Sequence, residues 1–179
     1  MKKIVLILML ALISVSTTLA FMFKKSNVVE NDFQPGKTVC EVQEAFDGVE
    51  KTSIKVKNDK EQGSNVESYI RLAMISYWVN ESGDIVGKPS EMPDVSYDSA
   101  HWLKSTSNDY YYHKSSVAPG ETTAELLTGK IILQQVEEDE QILSQVVEVF
   151  AESIQAAPAD AAAQSWGVTI ENNKIIAVP

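Results

Sequence analysis

The chain has 179 residues, a formal charge of −10 at neutral pH, two histidines and one cysteine. That acidity excludes a nucleic-acid binder, whose phosphates demand a basic stripe, and it matches an anionic membrane surface no better. A lone thiol, Cys40, excludes an internal disulfide, so stability must come from packing.

Residues 1–20, MKKIVLILMLALISVSTTLA, have the layout of an export signal. Lys2 and Lys3 form the positive end, and Ile4 to Ile13 is an apolar run. As helix, such a run rises ~15 Å, too short for a bilayer core of ~30 Å. Thr18-Leu19-Ala20 supplies the small residues of a cleavage site, so the cut is expected between Ala20 and Phe21. The alternative is an uncleaved anchor, if the run extends to Phe23. Cleavage implies an extracellular, secreted or cell-surface protein. Its contact with a signal peptidase is then confined to export, and it meets the membrane only transiently, through the signal. Removing Lys2 and Lys3 takes the formal charge from −10 to −12.

Phe21 to Gly36 reads as an N-terminal segment ending in the loop Asn31-Asp32-Phe33-Gln34-Pro35-Gly36, where Pro-Gly suits a type II turn. Residues 37–179 read as one domain. Lys37 to Phe46 alternates loosely and carries Cys40, either a small buried hydrophobe or the site of an intermolecular disulfide. Asp47-Gly48 signals a hairpin, and Val49 to Asn58 alternates cleanly, with Ile54 and Val56 on one face and Ser53, Lys55 and Lys57 on the other. Tyr69 to Val79 is apolar on both faces, the mark of a central strand. Arg71 within it needs a carboxylate or carbonyl partner if buried. Residues 84–107 form an irregular excursion carrying Trp102, and strand character returns at Asp109 to His113. The three successive tyrosines Tyr110, Tyr111 and Tyr112 cannot all face one side. Leu126 to Val136 predicts another strand, followed by a charged loop at Glu137 to Glu140. Gln141 to Gln155 fits both a helical stripe and strand alternation, and its β-branched residues favour strand. Pro158 to Ser165 suits a short helix, and Val168 to Val178 suits one or two weak strands around Asn172-Asn173. Short strands with turns about every ten residues predict an all-β antiparallel sandwich.

Catalytic chemistry is hard to find. His101 and His113 form no H-E-x-x-H pair, and each reads as a histidine beside a packed ring rather than a metal ligand. No serine elbow, papain-like cysteine frame, phosphate loop or calcium-hand spacing occurs. Asp84, Asp94, Asp98 and Asp109 read as solvated loop acids before a calcium site. No catalytic residue, metal ligand or cofactor is therefore assigned. The aromatics say more: Trp102, Tyr110, Tyr111 and Tyr112 are candidate interface residues, since tyrosine and tryptophan suit association surfaces.

The order of landmarks carries a resemblance. The signal end T-L-A-F-M-F is followed by V-x-N-D-F-x-P-G (Val29 to Gly36), V-x-E-A-F-D-G (Val42 to Gly48), K-V-K-N (Lys55 to Asn58) and Y-I-R (Tyr69 to Arg71). Then come Trp78, a D-Y-Y-Y stretch, A-P-G-E-T-T (Ala118 to Thr123), A-E-S-I-Q-A (Ala151 to Ala156) and Trp166-Gly167. This series resembles the TasA/camelysin-like group of exported Gram-positive biofilm-matrix proteins, also called BsaA-type and processed by a SipW-type signal peptidase. Phe21-Met22-Phe23-Lys24-Lys25 departs from the group's usual A-Y-F-T/S-D. The resemblance implies a jelly-roll-like sandwich and fibrous assembly outside the cell. Some relatives carry a metallopeptidase label, which no motif here supports.

These readings converge on a structural or adhesive protein of the matrix that associates with itself or with other surface proteins. A route exists: the segment Phe21, Phe23, Val28 and Val29 is a candidate assembly strand that pairs with a neighbour's open sheet edge. The alternatives are a monomeric extracellular module binding carbohydrate or protein, and a metal-dependent hydrolase.

Overall fold

The computed structural model describes residues 36–138 and 140–179. The signal segment, the cut at Ala20 and Phe21, and the candidate strand with Phe21, Phe23, Val28 and Val29 lie outside the described residues. Gly36–Pro179 forms one compact unit, and it is all-β apart from one short helix.

The first hairpin joins β1 (Cys40–Phe46) to β2 (Glu50–Asn58) in antiparallel register, Val42 opposite Val56, with an irregularity between Ala45 and Phe46. Asp47 builds the turn: its Oδ1 accepts the Val49 and Glu50 N–H groups at 2.9 and 2.8 Å. Gly48, at φ 98°, takes the left-handed conformation that the turn requires. A third strand, β7 (Ile131–Ile132), adds to the other edge of β2 at Glu50 and Lys51. Farther along β2, an irregular segment replaces a strand. Thr123 N–H donates to Val56 O and Leu126 N–H to Ile54 O, both at 2.9 Å.

The larger sheet is centred on β3 (Ser68–Val79), as its two-sided apolarity predicts. On one side β3 pairs along its whole length with β9 (Gln141–Gln155), from Ser68 opposite Gln155 to Val79 opposite Ser144. On the other side it pairs with β6 (Tyr110–His113) and, beyond a gap, with β4 (Ile85–Val86). The outer strands are β5 (Trp102–Lys104) beside β6, and β8 (Gln135–Glu138) beside the start of β9. The helical alternative for 141–155 is thus overturned. A period of two puts Leu143, Gln145 and Val147 inside the sandwich, where all three are buried. The single strand expected over 126–136 is also corrected. Leu126 to Lys130 are irregular, Ile131–Ile132 form β7 in the small sheet and Gln135–Val136 open β8 in the large one, and Leu133 N–H donates to Val49 O at the crossing.

Two cores lie on the two faces of β3. Between the sheets, Ile54 and Val56 of β2 meet Ile70, Leu72 and Met74 of β3, with Trp102, Tyr111, Leu126 and Val147. On the outer face, Tyr69 and Tyr112 are covered by helix α1 (Asp160–Trp166) and by the hairpin of β10 (Thr169–Glu171) and β11 (Lys174–Ala177). Asn172 and Asn173 turn that hairpin at φ 49° and 59°, the left-handed pair of a type I′ turn. Gly167 ends α1 at φ 68°, its N–H donating to Ala163 O.

Candidate functional site

The strand β9 is longer than its partners can cover. The Gln145 N–H donates to Gln134 O on the β8 side, while the Ala156 N–H donates to Glu67 O on the β3 side, both at 2.8 Å. Successive residues of an antiparallel strand turn their backbone groups to opposite neighbours. Val147, Val149, Ala151 and Ser153 therefore direct theirs away from β3. On that side β8 pairs no farther than Ser144, because the chain before it leaves for the small sheet. Val147 is buried at this crossing, but Val149 and Ala151 are half-buried. At the far end, Thr38 Oγ1 donates to Ser153 O at 3.3 Å. From Val149 to Ser153, β9 has no strand partner on this edge among the described residues. That stretch is about 13 Å long at the usual strand rise, with the start of β1 packed close to its far end.

The first described residue, Gly36, lies near the end of this stretch. It lies against the end of β9, so close that a Cβ there would stand 3.1 Å from Gln155 Oε1 and 3.2 Å from Val66 Cγ1. Cys40 is half-buried in the same corner and packs against the inter-sheet core. Burial pushes its thiol pKa up, against a hydrogen bond with Ser153 that lowers it. The free edge of β1 differs from that of β9: it carries Glu41 and Glu44 and loses regular register at Phe46. Charges and bulges of this kind discourage pairing.

The outer face of the large sheet, where α1 does not reach, carries several exposed apolar side chains around Glu148. Ile75 and Phe150 are 47% and 45% exposed, and Ile142 and Ile85 also lie open. Tyr77 sits between them, its hydroxyl donating to Glu148 Oε2 at 3.3 Å. Toward α1 this face closes over Arg71. Its Nε and Nη2 donate to Glu152 Oε2 at 2.9 and 2.7 Å, and its guanidinium carbon lies 4.0 Å from the Tyr110 ring centre and 4.7 Å from that of Trp166. The Tyr110 hydroxyl donates to Glu152 Oε1 at 2.9 Å. Burial works against the Glu152 carboxylate, yet the Arg71 and Tyr110 hydrogen bonds hold its pKa below the usual value. This is the carboxylate partner that Arg71 requires, and the cluster ties α1 to the sheet.

The candidate interface aromatics are mostly withdrawn from the surface. Trp102 is completely buried, its Nε1 donating to Ala124 O at 3.3 Å, with His113 edge-on at 5.0 Å. Tyr111 points into the inter-sheet core against Tyr97, and Tyr112 lies beneath Trp166. Only Tyr110 keeps partial exposure. Flanking strands and the covering helix claim these rings for packing.

The two histidines hold separate roles. His113 is buried with its ring orientation fixed: Nδ1 pairs with Ser115 O at 2.7 Å, and Nε2 accepts the Ala124 N–H at 3.3 Å. Burial pushes its pKa below the usual 6.5. His101 is exposed and meets Asp98 at 2.5 Å. That hydrogen bond holds the Asp98 carboxyl below its ordinary value. Among the described residues, Asp84, Asp94, Asp98, Asp109 and the histidines form no group of three able to hold a metal ion.

Sequence reasoning located the strand but missed its opening and its apolar outer face. Even-numbered positions of β9 read as mixed, Ile142, Ser144, Val146, Glu148, Phe150 and Glu152, until the pairing with β3 sets Phe150 beside Ala73 and Ile75. No helix among the described residues is long and apolar enough to cross a membrane. No protein-family model, no curated protein and no solved structure matches the chain.

Proposed function

We propose that this is an exported structural protein of the cell surface or extracellular matrix that assembles by strand addition, its layers arranged as a jelly-roll-like sandwich. Residues 1–20 are the signal, cut between Ala20 and Phe21, and the mature N-terminus supplies Phe21 to Val29 to the β9 edge of another copy. The observation that carries the reading is the opening from Val149 to Ser153. An unpaired strand edge offers backbone donors and acceptors to an incoming strand, and alternate side chains set specificity. The exposed Ile75 and Phe150 on the adjoining face add apolar surface for lateral contact. No catalytic step is assigned to the protein.

The runner-up, a monomeric module binding carbohydrate or protein, relied on exposed aromatic rings. Burial of Trp102, Tyr111 and Tyr112 removes that support. The hydrolase reading needs His101, His113 and an acid around one ion, an arrangement the described residues do not form.

The deciding comparison is between the mature chain and a variant lacking Phe21 to Val29, by sizing column and circular dichroism. The variant is expected to run as a monomer with an unchanged β spectrum. Oligomers that persist unchanged after the deletion refute strand addition by this segment.

A further inference from the structure

The edge of β3 opposite β9 has a notch. β6 pairs with Arg71, Leu72 and Ala73, and β4 with Trp78 and Val79, so the intervening residues 74–77 have no strand partner on that edge among the described residues. A cleft of 310 Å³ occupies the gap. Its wall is braced from within: the two N–H groups of buried Gln145 Nε2 are shared among Ser76 Oγ at 2.9 Å, Ser90 Oγ at 3.1 Å and Glu91 O at 2.8 Å. These bonds fasten the segment around Ser90 to β3 and hold the cleft open as part of the fold.

The lining divides by chemistry. Met74, Met92 and Tyr111 give an apolar floor, and thioethers adapt readily to varied apolar groups. The same lining carries two opposite charges, the exposed Lys104 and Asp109. Lys104 faces Tyr111 across the β5–β6 pair, its Nζ 5.2 Å from that ring's centre, and Asp109 lies two residues before Tyr111. Neither belongs to an ion pair among the described residues. An ammonium and a carboxylate on the lining of one cleft, neither of them in an ion pair, together with apolar lining groups, form the complement of one ligand class.

We propose that this notch binds a free α-amino acid with an apolar side chain. The ligand's carboxylate meets Lys104 Nζ and its ammonium meets the Asp109 carboxylate, two charge-assisted hydrogen bonds converging on one carbon. The side chain runs over Tyr111 onto Met74 and Met92. The cleft lies at the small end of ligand sites, roughly 300–1,000 Å³, which suits one residue rather than a chain. An internal peptide segment carries no terminal charges and leaves Lys104 and Asp109 unanswered.

The test is a nuclear magnetic resonance titration of the full chain with L-leucine and L-phenylalanine, reading the Met74 and Met92 methyl signals. Saturable shifts with a dissociation constant of roughly 1 mM are expected. N-acetyl-L-leucine amide keeps the side chain without the charges and is expected to bind at least ~10-fold more weakly, as are leucine and phenylalanine to Lys104→Ala and Asp109→Asn. The blocked amide decides the matter on the unaltered protein, whatever the variants do to folding. Absence of saturable shifts, equal binding of the amide, or tighter binding of leucyl-leucine than of leucine overturns the proposal.

Discussion

Proline at two adjacent positions of β9 separates the edge that is occupied from the edge that is open. Phe150 lies opposite Ala73, and the alternation fixed by Gln145 and Ala156 directs its N–H toward β3. Phe150→Pro deletes that ladder bond and leaves the Ala73 carbonyl without its donor inside the sheet. An unsatisfied buried group costs about 1–3 kcal/mol, and the proline ring crowding the neighbouring strand adds to it, so a loss of about 3 kcal/mol is expected. Ala151→Pro removes a donor that faces the opening, where proline is tolerated as on any sheet edge. Its expected cost is below about 1 kcal/mol, because the residue is small and half-buried. For a domain of this size each kcal/mol shifts Tm by roughly 2–4 °C, so the two variants should differ by at least about 4 °C. Thermal and urea unfolding of both proteins measures the difference. Assembly supplies the second readout: Ala151→Pro is expected to abolish oligomers while the monomer stays folded. Equal destabilisation by the two prolines, or intact assembly of Ala151→Pro, would refute the placement of the opening.

Three further outcomes follow from the packing. Arg71→Ala takes away the fork to Glu152 and the stacking on Tyr110 and Trp166, and is expected to cost about 2–3 kcal/mol in urea unfolding; a cost below ~0.5 kcal/mol shows that the cluster does not hold α1 to the sheet. Tyr69 Oη is buried without a hydrogen-bond partner among the described residues, so Tyr69→Phe should leave Tm unchanged or raise it, and a clear fall in Tm contradicts that. His113 has a lowered pKa when folded, chiefly through burial, with the exposed His101 and the half-buried Asp98 the other ionisable groups near it. Its neutral form therefore stabilises the protein fully above the unfolded value of 6.5, and that stability is lost as pH falls from 6.5 toward the folded value. His113→Gln should flatten the loss between pH 7.5 and 5.5, measured by urea unfolding, and an unchanged slope rules the residue out as its source.

Strand periodicity was the most legible part of the sequence. Ile54 and Val56 sit where the alternation of 49–58 puts them, and the two-sided apolarity of 69–79 marks the strand that occupies the sheet centre. Local turn chemistry was equally readable at Asp47-Gly48 and Asn172-Asn173. What escaped were features set by distant partners. Trp102 lies in a proline- and serine-rich excursion that suggests exposure, yet the excursion folds back and seats the indole against Ala124 and His113. The apolar residues over 126–136 conceal a change of sheet at Leu133, whose N–H bonds Val49 O of the small-sheet hairpin. The opening on β9 has no local signature at all. It exists because β8 stops short, and β8 stops short because the preceding residues belong to the other sheet. That Lys104 and Asp109 line one cleft at the β3 notch is likewise a product of β5 pairing with β6, which sets Lys104 opposite Tyr111.

Amide hydrogen exchange at Val149 and Ala151, followed in dilute monomer and in assembled material, tests strand addition most directly. Their N–H groups face the opening, whereas those of Phe150 and Glu152 bond to β3. The prediction is fast exchange at Val149 and Ala151 in the monomer and strong protection after assembly, with Phe150 and Glu152 protected in both. Protection of all four in the monomer, or continued fast exchange at Val149 and Ala151 in the assembly, contradicts the account.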